Sequence, residues 1–495
     1  MAISEQNIPL GLANTETQLP SEEYVPQTMP RILGTFDMTA TFVIAIYALS
    51  SSPTAVSGGA AAFFYWFVGA VAFFVLCGIV AAQLGVMYPH DGSLYNWTYK
   101  AFGGFWSFFV GLCSWLPAPL VIVGLGVEFV SFLQGLNPNW LIEPVQQGGV
   151  ILVIVIFSAI ISVQRFQTVQ RIVNIFFILD IIATALIIVA SIVWLLQGNH
   201  SATDFTQTLN PSTINPANYS LYGLILFGYI GSNLVLNMSG EVKEKKAITR
   251  HLLWGSLVVF ACYITATIGI LIVQGDKVGF VNFSMASTVE IVFHSKLIGN
   301  ICTVFFLSSI IAAAAVYNYV HARILMVAGI DRRLPVAIAK LNKNRVPANA
   351  IYLQTLIAVV FTVIAFMVVP YVLPSAKPAD LNADVYFVSQ AAATLVWATA
   401  VLFLFINLTA LYFKDKVTFQ RKRIFPIWVL VLSVVIGVVA ITGAIVNTLL
   451  YSWTPPIDNS HWWYLAGGVL LMLLIISAVA SLVATSEANW QEINR

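Results

Sequence analysis

Charge is what this chain has least of. Asp, Glu, Lys and Arg together make up 9% of its 495 residues, where a soluble domain carries roughly 25%. So few charges cannot build a water-facing shell around a chain that is 59% hydrophobic and holds 33 Phe. The net charge of +2 gives no basis for a nucleic-acid partner. Cysteine is scarce too: Cys77, Cys113, Cys262 and Cys302 all fall in apolar stretches, with no Cys-x-x-Cys pair. They read as small hydrophobes, and no disulfide framework is expected. The six histidines, His90, His200, His251, His294, His321 and His461, fall in loops or at the ends of apolar stretches. That placement argues against a buried histidine–carboxylate metal site, and no cofactor is expected. A Gly-rich loop ending in Lys-Ser/Thr is missing, which excludes ATP-driven pumping by this chain. Repeated pore loops and rings of charge are missing as well, against a channel. No zinc-type or Ser-His constellation supports a membrane-embedded enzyme.

What is present is a series of apolar runs, for example 172–196 and 424–450. As helices these cross the ~30 Å hydrocarbon layer, and helix is required because lipid offers backbone groups no partners. Charge-free stretches predict twelve spans near 32–58, 60–86, 103–134, 147–164, 171–197, 219–241, 250–275, 296–321, 347–370, 385–412, 424–450 and 462–485. The polar tail 1–30 has four Glu and no Lys, so it lacks the basic start of a signal peptide. With a cytoplasmic N-terminus, only Lys277, Lys296 and Lys377 face outward and the other twenty of the 23 Lys and Arg face the cytoplasm. That bias predicts an integral membrane protein, of the plasma membrane, with both termini inside. Three Asn-x-Ser sequons, at Asn199, Asn218 and Asn282, fall in outer loops and matter only in a glycosylating host.

Two spans carry interruptions. In the first, Tyr47-Ala48-Leu49-Ser50-Ser51-Ser52-Pro53 sets three serines before a proline that removes a donor and disfavours helix at Ser52. In the sixth, Phe227-Gly228-Tyr229-Ile230-Gly231-Ser232-Asn233 places two glycines and an Asn in an apolar helix. Broken helices present free N–H and C=O groups at mid-membrane depth, where a transporter needs polarity without charge. Glycines in membrane helices also serve close packing, but two breaks separated by five helices fit a five-plus-five inverted repeat with a site between its halves. The expected division is a cytoplasmic tail 1–30, helices 1–5 over 31–197, helices 6–10 over 198–412, two further helices over 413–485, and a tail 486–495.

Three motifs carry a family resemblance. One is Gln83-Leu84 with Pro89-His90-Asp91-Gly92-Ser93-Leu94-Tyr95-Asn96-Trp97 and Phe102-Gly103. Another is Ala322-Arg323 with Ala328-Gly329-Ile330-Asp331-Arg332-Arg333-Leu334-Pro335 and Lys340-Leu341-Asn342-Lys343-Asn344-Arg345-Val346-Pro347. The third is Tyr229-Ile230-Gly231 with Glu241-Val242-Lys243. Together they resemble the amino acid–polyamine–organocation transporter superfamily over nearly the whole chain, with the second motif most similar to the glutamate/γ-aminobutyrate antiporter branch. The resemblance implies an all-helical secondary transporter for an amino acid or related amine, or alternatively for another organic solute on the same fold, working by alternating access with exchange or proton coupling. Tyr47, Ala48, Ser50, Ser51, Ser52, Phe227, Gly228, Tyr229, Gly231 and Asn233 are then the substrate-site candidates, with Phe227 as an aromatic gate. Two departures stand out: the family's Gly-Ser-Gly carboxylate site aligns with Ile46-Tyr47-Ala48, and Asn233 stands where many members have Glu.

Ionisable residues inside the spans are few. Asp180 lies nine residues beyond Arg171, about 14 Å along helix five at ~1.5 Å per residue, and is a candidate for proton coupling or for a buried structural hydrogen bond. Glu128 lies 22 residues into helix three, about 33 Å along, which places it at the outer interface. Asp37 begins helix one and complements its dipole. Glu241 and Lys243 are candidates for a cytoplasmic ion-pair latch on the inner gate, or for a solvated face. Ser308 and Ser309 offer hydroxyls for Na⁺, or back-bond to the preceding turn. Trp115, Tyr317, Tyr319 and Trp397 are aromatics for a pocket wall or for plain packing. The stretch from Arg323 to Arg345 reads as an amphipathic segment on the inner surface.

Overall fold

The computed structural model describes residues 19–206, 214–216, 218–372, 378–454 and 457–493, of which 378–383 and 485–493 as backbone only. Among the described residues ten helices are long and apolar enough to cross a membrane: Ala61–Met87, Gly104–Leu136, Pro144–Ser162, Phe166–Leu196, Lys246–Val273, Lys296–Ile330, Ala348–Val372, Asp384–Lys414, Ile427–Leu450 and Asn459–Ala484. Among the described residues the only β pairing is one isolated bridge, Leu33 to Val242. Large apolar side chains such as Phe67, Leu196, Trp428 and Leu471 stand exposed around the outside. A soluble surface would not display so much apolar area; a lipid-facing one must.

The two interrupted segments are the exceptions to continuous helix. The first is Thr35–Ile46 followed by Ser51–Val56. The sixth is Ser220–Gly228 followed by a tight 3₁₀ stretch, Val235–Glu241. The first break falls earlier than the proline implied. Ser52 and Pro53 are helical, in the opening turn of Ser51–Val56, where a missing N–H has no intrahelical acceptor to lose. The chain opens instead at Tyr47–Ser50. In the sixth segment Gly231 has φ +118°, a conformation side chains resist.

Around these breaks the first segment packs on the seventh (Lys246–Val273), and the fifth (Phe166–Leu196) on the seventh and eighth (Lys296–Ile330). The third (Gly104–Leu136) closes the ring against the eighth and tenth. The eleventh (Ile427–Leu450) leans on the outer half of the sixth and on the second, and the twelfth on the third and tenth.

The segments expected in the cytoplasm converge at one end. Leu33 N–H donates to Glu241 O at 3.1 Å and Lys243 N–H to Leu33 O at 2.9 Å. A short helix, Ser93–Phe102, follows Gly92, whose φ of +70° and contact with Val327 leave no room for a side chain. An N-terminal helix, Pro20–Thr28, docks at the same end: Glu22 pairs with Lys100 at 3.0 Å, and Ser21 donates from both N and Oγ to Asp331 at 2.9 Å. The expected amphipathic stretch from Arg323 to Arg345 is not one element. The eighth helix runs to Ile330 and buries Arg323 completely, and only Val336–Ala339 forms a further 3₁₀ turn. The buried carboxylate waiting for Arg323 explains the extension, since a charge excluded from water needs its counter-ion.

Candidate substrate cavity

Between the two breaks lies a cavity of about 130 Å³. Its floor and walls come from the first segment (Tyr47, Ala48, Ser50, Ser51, Thr54), the sixth (Leu224, Phe227, Gly228), the third (Gly124, Glu128), the eighth (Ser309, Tyr317) and the tenth (Tyr386, Gln390, Trp397). Trp453, from the loop between the eleventh and twelfth segments, completes it and also lines a wider depression at the outer end.

Opening a helix in a dry interior strands its peptide groups, and here tyrosines collect them. The Tyr263 hydroxyl lies 2.6 Å from Ile46 O and 3.0 Å from Gly228 O, and accepts from Ala48 N–H at 3.0 Å. One hydroxyl therefore ties the two breaks together. Tyr263 is held flat against Trp66, with ring centroids 4.2 Å apart. Tyr317 donates to Ala45 O at 2.8 Å and stacks on Trp397. Tyr386 donates to Ser50 Oγ at 3.2 Å. Satisfying these groups keeps the irregular backbone stable at depth.

Tyr47, Ala48, Ser50, Ser51, Phe227 and Gly228 thus meet in the cavity. Four other candidates do not line it. The Ser52 side chain is fully buried and its hydroxyl has no partner. Tyr229 turns toward the second segment, stacks on Phe74 at 4.7 Å and donates to Trp66 O. Gly231 and Asn233 line a separate small cavity with His321 and Trp397, because the chain reverses its face at the glycine.

Glu128 is the largest correction. It is not at a solvated mouth: it is 2% exposed, and its Oε1 accepts from Ser50 N–H at 2.6 Å. The third segment has 33 residues, about 50 Å of helix, so depth counted from one end fails. Asp180 is wholly buried on the fifth helix, outside the cavity wall. Its neighbours from the cavity wall are the Ser309 hydroxyl, placed to hydrogen-bond it, and the Glu128 carboxylate. Ser308 back-bonds to Phe305 O at 2.7 Å, the ordinary role of a helical serine. Asp37 caps the first helix by accepting from Gly34 N–H at 2.9 Å.

Glu241 forms an ion pair, but with Arg323 rather than Lys243. Arg323 Nε meets Glu241 Oε1 at 2.9 Å and Nη2 meets Oε2 at 3.3 Å, both side chains being fully buried. Lys243 is exposed and makes no ion pair among the described residues. Beside this pair, burial and the neighbouring Glu241 carboxylate push Asp91 well above the usual carboxylate range. Burial likewise pushes Asp331 up to about 6, despite two hydrogen bonds from Ser21. His251 and His321 are buried within helices instead of lying at their ends. Among the described residues no three His, Cys, Asp or Glu side chains are grouped to hold a metal.

The two opened helices, joined by a tyrosine, thus face one cavity. Residues 33–477 match the model of the amino acid permease family. The chain belongs to that family. This permease, a member of the amino acid–polyamine–organocation superfamily, is an integral membrane transporter and not an enzyme. It is 23% identical to an uncharacterized transporter of Legionella pneumophila over 68% of this chain and 73% of the relative. It is 26% identical to a serine/threonine exchanger of Bacillus subtilis over 50% and 55%. It is 22% identical to a probable agmatine/putrescine antiporter of Lactococcus lactis over 48% and 50%. A solved manganese transporter of Eremococcus coleocola shares the fold, with a TM-score of 0.58 at 14% identity over 92% of this chain and 94% of that one.

Proposed function

We propose that this permease carries an amino acid or a related amine across the plasma membrane by alternating access. The observation that carries the reading is the tyrosine-joined pair of helix breaks facing one cavity. In this reading the broken first and sixth segments bring the spans to twelve, with two five-helix inverted repeats over 31–197 and 198–412 followed by two further helices. The 20-to-3 bias of Lys and Arg supports a cytoplasmic position for both termini and for the Glu241–Arg323 closure. Phe227, whose ring centroid lies 6.2 Å from that of Trp453, gates the outer side. Asp180 is the coupling group, because a buried carboxylate with no cation paired to it among the described residues, beside the cavity hydroxyl of Ser309, is poised to exchange a proton when the cavity opens. The loop motifs shared with the glutamate/γ-aminobutyrate antiporter branch support exchange of one solute for another.

Counterflow in proteoliposomes tests this. Purified full-length protein should exchange at least one radiolabelled amino acid or amine, and a pH gradient should drive uptake in the native chain. Asp180→Asn should keep exchange and lose the pH-driven component. Exchange of no amino acid or amine would overturn the substrate class; undiminished pH-driven uptake by Asp180→Asn would remove the coupling role.

A further inference from the structure

An opened helix in an amino acid carrier is useful because its N–H groups can receive a carboxylate. Here four of those groups in the first segment are already engaged. Tyr47 N–H donates to Val43 O, Ala48 N–H to the Tyr263 hydroxyl and Ser51 N–H to Ala48 O. Ser50 N–H is held by a carboxylate of the protein itself, Glu128, at 2.6 Å. The place a substrate carboxylate would take at Ser50 is therefore filled from the third segment.

Glu128 also sets the charge of the cavity. Among the described residues it is the only acid on the wall, and no Lys, Arg or His lines the cavity. No cationic side chain pairs with it among the described residues, whereas Glu241, the buried acid at the cytoplasmic end, has Arg323. A buried carboxylate without a counter-ion is costly and gains most from a cation supplied from outside. The lining is also rich in aromatic side chains, Phe227, Tyr317, Tyr386, Trp397 and Trp453, which suits an organic cation. A substrate carboxylate set about 5 Å from Glu128 would be repelled by about two orders of magnitude in affinity at an effective dielectric of ~20.

We propose that Glu128 is the substrate-ammonium ligand and that this permease selects organic amines lacking a free carboxylate over the matching amino acids. The proposal rests on the transport reading above and narrows its substrate class.

The test uses matched pairs that differ by one carboxylate: tyramine and tyrosine, phenethylamine and phenylalanine, cadaverine and lysine, agmatine and arginine. Each amine is offered as labelled counterflow substrate to full-length protein in proteoliposomes, with its amino acid as competitor, and the reverse. At least one amine should exchange, and its amino acid should compete at least tenfold more weakly. An amino acid that exchanges as well as its amine would overturn the inference and leave the transport reading standing; exchange of neither class would sink both. Glu128→Gln should lose amine counterflow about a hundredfold, and Glu128→Asp should retain part of it. Counterflow needs no driving gradient, so a Glu128 that served coupling alone would leave it intact in Glu128→Gln, and that result would overturn the ligand role. Where Glu128→Gln does not elute as a folded protein, the matched-pair comparison on the native chain decides.

Discussion

Two buried carboxylates, one in the bonded end of the protein and one on the cavity wall, show how differently one side chain can be used. Glu241 meets Arg323 through two hydrogen bonds in a site with no solvent exposure. Near it Gly92 N–H donates to Asn237 O and Gly240 N–H to Asp91 Oδ1, and Glu22 of the N-terminal helix accepts from Asn96 and Lys100. Glu128, equally dry, has only Ser50 and an open cavity with no cation. The first site is complete, each charge having its counter-ion. The second is incomplete by one positive charge, the mark of a site awaiting a ligand. Burial alone distinguishes nothing here; the presence or absence of a partner does.

The sharpest way to break the contrast is to remove the partner at the closed end. Arg323→Ala strands Glu241 and should destabilise the protein by about 3–5 kcal/mol in thermal or denaturant unfolding. Glu128→Gln removes a charge that had no partner, so its stability should change by less than half as much while transport collapses. Equal losses of stability in the two variants would erase the distinction.

The next effect is one of pH at the closed end. Asp331 titrates at about 6 when covered by Ser21 and near ~3.9 when released into water. A carboxyl group whose pKa is raised by docking favours the docked state when protonated. Docking of Pro20–Thr28 should therefore tighten about tenfold between pH 7 and pH 5 and weaken as pH rises through 6. Hydrogen exchange over residues 20–28 at the two pH values measures this, and Asp331→Asn should flatten the dependence. The smallest effect belongs to Lys243→Ala, which should shift stability by no more than about 0.5 kcal/mol. A loss approaching that of Arg323→Ala would restore Lys243 to the latch.

Much of the fold was legible in the sequence. The apolar runs near 147–164, 171–197 and 424–450 lie within a few residues of the helices Pro144–Ser162, Phe166–Leu196 and Ile427–Leu450. Both helix interruptions were visible, the first within Tyr47–Pro53, yet its narrowing to Tyr47–Ser50 was not, because the hydroxyls that satisfy the opened turn are supplied by Tyr263 and Tyr317 from distant segments. The cavity was half legible. Tyr47, Ser50 and Phe227 were named, while Tyr263 and Trp453 gave no local signal. A tyrosine in an apolar helix carries no mark of which carbonyl it will meet, and Trp453 reads like any interfacial tryptophan.

By itself the sequence determined that this protein lives in a membrane, where its helices run and which end its basic loops favour. Those properties depend on local composition against a layer of fixed thickness, and on backbone groups that must be satisfied within each segment. Only the tertiary structure decided which acid is paired and which waits. Glu241 finds Arg323 82 residues away, and Ser50 finds Glu128 78 residues away. Depth and partner depend on how long helices pack and overrun the hydrocarbon layer, and no spacing along one segment encodes that.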